Sequence, residues 1–140
     1  MTPASIILRL REQCSELRLV GGAAQLERAI EALTTTPAAF VLPARETATE
    51  SPFMDQTVQQ EVLAEFAVVI AAANLADDEG AAARESLQAV RDAVRAALLG
   101  WTPDDAASGC EFVSGELAQF KDSQLWWTDS YSTTFILRSA

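Results

Sequence analysis

The segment Thr57–Ala71 constrains the fold more than any other part of this chain. Val58, Val62, Phe66, Val68 and Ile70 fall on one side of an alternating pattern, and Gln59, Glu61 and Glu65 on the other. That is the period of a half-buried β-strand. Its second half, Phe66-Ala67-Val68-Val69-Ile70, is apolar at every position. On an open sheet edge such a run would template aggregation, so it must lie centrally or be covered by a partner. With 140 residues the chain can surround the strand with about one domain's worth of structure, expected to span residues 1–140.

The flanking segments read as follows. Thr2-Pro3 is a helix start, and Ile7, Leu10, Cys14 and Leu17 then recur on one helical face. Gly21-Gly22 stops or bends the chain, and a second short helix carries Leu26, Ile30 and Leu33 on one side. Ala38–Leu42 reads as a short buried strand closed by Pro43, and Ala44–Gln56 as the longest loop. Asp77, Asp78 and Glu79 lie in a turn, Asn74–Gly80, before the best helix. That helix has Ala83, Leu87, Val90, Val94 and Ala97 on one stripe, with Gly100 as its C′ residue and Pro103 preventing continuation. Glu111–Arg138 is rich in β-branched and aromatic residues, with turn signals at Ser114-Gly115-Glu116 and Lys121-Asp122-Ser123 and a long final strand. The order predicts an α+β fold: a mostly antiparallel sheet of about four to five strands with two to three helices packed on one face.

Chemistry is scarce in this sequence. It has no histidine, which removes the commonest general base and most zinc sites. Ten Arg+Lys against 20 Asp+Glu leave a net charge of −10, a surface that repels a phosphate backbone. Asp77-Asp78-Glu79-Gly80 lacks the alternating ligand spacing of a calcium loop and reads as helix capping. Ser114-Gly115-Glu116 lacks a histidine partner, and Gly21-Gly22 lacks the rest of a phosphate loop. Trp101, Trp126 and Trp127 read as core or interface packing. Cys14 and Cys110 read as reduced thiols. No catalytic, metal or cofactor-binding set emerges, so neither an enzyme nor a cofactor is expected. The start of the chain does not read as a signal peptide. The longest apolar run, Phe66–Ala73, is far shorter than the ~20 residues that span a bilayer. A soluble chain, made in the cytoplasm and bound to no membrane, is expected.

Three features read as places for partners. Arg84, Arg91 and Arg95 lie along one side of the third helix. They form either an ordinary solvated face or a contact for an acidic surface, including another copy of the chain. Phe66 and Val68, on the long strand, are the apolar candidates for a subunit interface. The loop residues Glu46, Glu50, Phe53 and Asp55 are candidates for docking to a larger assembly.

Several short stretches occur in a telling order: Pro37-Ala38-Ala39-Phe40-Val41-Leu42-Pro43, then Gln56, Gln59 and Gln60 leading into the long strand. Ala97-Leu98-Leu99-Gly100-Trp101-Thr102-Pro103 and Leu125-Trp126-Trp127 follow. In this the chain resembles the tail-terminator (minor tail) proteins of long-tailed double-stranded DNA phages, over roughly Ile6 to Leu137. The resemblance implies a structural virion protein whose copies form a hexameric ring on the tail tube. Such a ring stops tube polymerisation and offers a surface to the head's connector protein, while DNA passes through without specific binding. It implies residence at the tail end of the virion, and in the host cytoplasm during assembly. Other neck or tail-completion proteins, and a monomeric acidic binding module of the inhibitor or immunity type, are the alternatives.

Overall fold

The computed structural model describes residues 2–33, 35–73, 81–121 and 124–139. The chain runs α1 (Ala4–Gln13), β1 (Leu19–Gly21), α2 (Ala23–Ala32), β2 (Ala38–Ala48), β3 (Gln59–Ala73), α3 (Ala81–Leu98), β4 (Glu111–Lys121) and β5 (Gln124–Arg138). The strands form one five-stranded sheet in the order β1-β2-β3-β5-β4. Only the β1–β2 pair is parallel. This is the α+β architecture expected from the sequence.

β3 is the middle strand. It pairs with β5 from Gln59 opposite Arg138 to Ala73 opposite Gln124, and with β2 from Ala71 opposite Ala38 to Val62 opposite Ala48. Its two halves differ in pattern because the sheet is covered differently along its length. α1 and α3 pack on one face, where Phe66, Val68, Ile70 and Ala72 join Ile6, Leu10, Leu87, Val90 and Val94. α2 packs on the opposite face at one end, where Val69 and Ala71 meet Ala29, Phe40 and Trp126. Strand residues covered from both sides are apolar without alternation. Two helices thus share one face, as expected, and the third takes the other. Each Val, Ile or Phe side chain so buried stabilises the fold by roughly 1.5–3 kcal/mol.

Several boundaries move for identifiable reasons. β1 lies where the glycine pair was expected only to stop or bend the chain; Gly21 is its last residue and Gly22 precedes α2. The α2 face is rotated from the expected stripe, with Ala29 buried and Ile30 half exposed. β2 does not stop at Pro43 but continues to Ala48 across a bulge between Pro43 and Arg45. Beyond Phe40 the outer edge of β2 has no strand partner, so a residue without an N–H is tolerated there. The loop expected over Ala44–Gln56 therefore shrinks to the tip of a long β2–β3 arm. Ser114-Gly115-Glu116 is not a turn but part of β4, between two register shifts. Gly100 adopts φ 78° after α3, as a C′ glycine should. The expected turn Asn74–Gly80 and the turn residues Asp122 and Ser123 lie outside the described residues.

Candidate interaction surface

α3 buries Leu87, Val90, Val94, Ala97 and Leu98 and turns Arg91 and Arg95 towards the β5–β4 side of the sheet. Arg91 does not stand in solvent. Its Nε donates to Asp129 Oδ2 and its Nη2 to Asp129 Oδ1, both at 2.9 Å, a two-pronged ion pair. Trp127 Nε1 donates to the same Oδ1 at 2.8 Å, and the Arg91 guanidinium lies 4.5 Å from the Trp127 ring. Asp129 is fully buried, so this cluster ties α3 to β5 inside the subunit.

Arg95 lies 4.6 Å from the ring of Phe112, which meets Tyr131 edge-on at 5.7 Å. Its Nε, like the Tyr131 hydroxyl, is buried without a hydrogen-bond partner among the described residues. Burial, aided by the charge of Asp129, pushes the Tyr131 hydroxyl above the usual phenol range. Arg84 is exposed and has an interaction partner of its own. The stripe is therefore not an open row of three cations: Arg91 is used within the chain, and Arg95 is partly sheltered on Phe112.

The other sequence candidates are placed as follows. Phe66 and Val68 are buried under the helices and pack the subunit's own core, because β3 is the central strand. They present no surface to a partner. Glu46 is not in a loop but in β2, opposite Ala64. Glu50, Phe53 and Asp55 do lie in the arm tip, residues 49–58, and are exposed together with Met54 and Val58. The tip is tied at its base: Thr49 N donates to Glu61 O at 3.0 Å, Gln59 N to Ser51 Oγ at 3.1 Å and Ser139 N to Val58 O at 2.8 Å.

Gly115 shows what sequence reasoning missed. A Cβ on this residue would collide with the Asp129 carboxylate and lie 3.0 Å from both Arg91 Nη2 and Trp127 Nε1. Only a glycine lets β4 pass over the ion pair. The available signal was a glycine inside an apolar alternation, which marks a close approach as readily as a turn.

β4 is the edge strand beyond α3, which packs over β3 and β5. Residues 111–119 are all exposed, among them Phe112 (38%), Val113 (46%) and Leu117 (56%). Phe112, Gly115 and Leu117 stand opposite Tyr131, Asp129 and Trp127, which places them on the helix side of the sheet. The result is an apolar ledge beside α3 with Arg95 on its inner margin.

Elsewhere the chemistry is quiet. Cys14 and Cys110 are free and buried, and burial pushes each thiol from 9.0 up to about 11. Among the described residues no three His, Cys, Asp or Glu side chains converge as a metal set. No described helix is long and apolar enough to cross a membrane. A polar depression of about 390 Å³ beside β5 has Glu61 and Glu111 on its rim, both exposed to water. Trp126 stacks on Phe40 in the core, and Arg9 sits 5.3 Å from the Trp101 ring while its Nε donates to Ala97 O at the end of α3.

A family model described as phage tail terminator protein matches residues 1–140. A solved structure described as the virion of a native gene transfer agent particle contains a chain of similar fold, with a TM-score of 0.50. The two are 15% identical, and the alignment covers 94% of this chain and 91% of that one. No curated protein matches the sequence.

Proposed function

This chain belongs to the phage tail terminator protein family, and from that premise we propose that its copies close into a ring on the end of a tail tube. The family makes it a structural component of a phage-type tail. The finer reading is that a hexameric ring halts tube polymerisation and offers its far side to the head's connector protein. It works by contact rather than by catalysis, at the tail end of the virion.

The observation that carries the ring is the open β4 edge. A long edge strand with Phe112, Val113 and Leu117 in water is a liability that proteins usually cover. A closed ring covers it, because each copy then meets its neighbour through two unlike surfaces. The net charge of −10 agrees with a ring that DNA traverses without sticking, since like charge keeps phosphates off the wall.

Sedimentation of the chain alone and with tail-tube protein tests this, together with tube length by electron microscopy. A ring should form on the tube ends and tubes should stop growing in its presence. A chain that stays monomeric in both conditions, with tube growth unaffected, would refute the reading.

A further inference from the structure

We infer that the ledge formed by β4 beyond α3 seats the tip of the β2–β3 arm from a second copy of this chain. The inference rests on the ring reading and names the surfaces that build the ring.

The ledge is apolar with a cationic margin. Phe112 and Leu117 are exposed along it, Trp127 is half-buried behind them, and Arg95 lies against Phe112. The Nε of Arg95 is buried without a hydrogen-bond partner among the described residues. The Tyr131 hydroxyl, the other buried group left without a partner, lies against the same guanidinium, so what the margin offers a second molecule is the positive charge of Arg95. A carboxylate is the group that answers that charge.

The arm tip has the complementary chemistry. Phe53 is half exposed and Met54 fully so, and the acidic Glu50 and Asp55 flank them. Apolar side chains bordered by carboxylates match an apolar ledge bordered by an arginine.

The tip cannot reach the ledge of its own subunit. Phe66 stands opposite Tyr131, and Tyr131 opposite Phe112, so the ledge is level with the middle of β3. The strand from Phe66 back to Gln59 is roughly 23 Å long at ~3.3 Å per residue, and the tip lies beyond it. β5 separates the two as well. The occupant therefore comes from another molecule. A tip-to-ledge contact is heterologous, as ring closure requires.

The test uses the full chain with and without tail-tube protein. Met54→Lys and Leu117→Lys replace exposed side chains, and circular dichroism checks that each variant folds. Each should weaken assembly at least about tenfold relative to the unsubstituted chain. Met54→Cys mixed with Leu117→Cys should give a disulfide-linked dimer on mild oxidation, and neither variant alone should do so.

Retention of full assembly by both lysine variants, or absence of the mixed dimer while the unsubstituted chain assembles, would overturn the inference and leave the ring reading standing. Met54→Lys rings that form normally but no longer hold the tube would reassign the tip to tube docking. If the unsubstituted chain never assembles, with tube protein or without, both readings fall.

Discussion

Asp129 is an aspartate in a strand of apolar and hydroxyl side chains, and its neighbours explain why it is tolerated. A fully buried carboxylate is stable only when its oxygens are occupied, here by two arginine nitrogens and the Trp127 N–H. Removing one partner should therefore cost more than removing both. Asp129→Ala leaves Arg91 facing a buried gap and should destabilise the fold by about 3–5 kcal/mol in urea titration, whereas Arg91→Met with Asp129→Leu should cost clearly less. Gly115→Ala should also be destabilising, by about 1–3 kcal/mol, because its methyl group must displace the carboxylate. A double variant as unstable as Asp129→Ala alone would show that the pair is not what holds α3 to β5. At this scale the sequence was least legible. Arg91 looked like a surface cation because helical spacing shows which side a residue takes, not what stands opposite. Its partner is 38 positions away in the chain.

The elements were read better, and the long central strand best of all. Its alternating first half and apolar second half record how many faces of the sheet are covered at each point, and the helices obey that record. Pro43 and the Ser114-Gly115-Glu116 turn signal misled for a shared reason. Breaker residues end a strand only where the neighbouring backbone needs their N–H or their Cβ. β2 has no outer partner near Pro43, and β4 needs the space that Gly115 leaves. The sheet order predicts a gradient of protection. Amides of β3 from Val62 to Ala72 should exchange only through global unfolding, while the outward N–H groups of β4 exchange quickly in the free chain. Hydrogen exchange followed by mass spectrometry checks this, and assembly should slow the β4 amides. Fast exchange in the centre of β3 would contradict the topology.

For the whole molecule, burial of ionisable groups gives a pH dependence with a definite sign. The folded chain holds the Cys14 and Cys110 protons up to about 11, whereas the unfolded chain releases them near 9.0. Tyr131 is shifted in the same direction. Rising pH thus favours the unfolded state: stability should be unaffected by these groups below pH 9 and fall between pH 9 and 11. Urea midpoints at pH 8 and pH 10.5 measure it, and equal midpoints would mean that the thiols are not sheltered. Native thiols should likewise react slowly with a disulfide reagent at pH 8 and rapidly in urea. The sequence by itself determined the α+β class, the central strand and the absence of histidine chemistry, because periodicity and composition are local properties that survive in any arrangement. Only the tertiary structure decided that Phe66 and Val68 lie inside, that Arg91 is paired and that β4 is the exposed edge. Those outcomes depend on which distant segments become neighbours, and strand order is set by the summed packing of the whole sheet rather than by any one stretch of it.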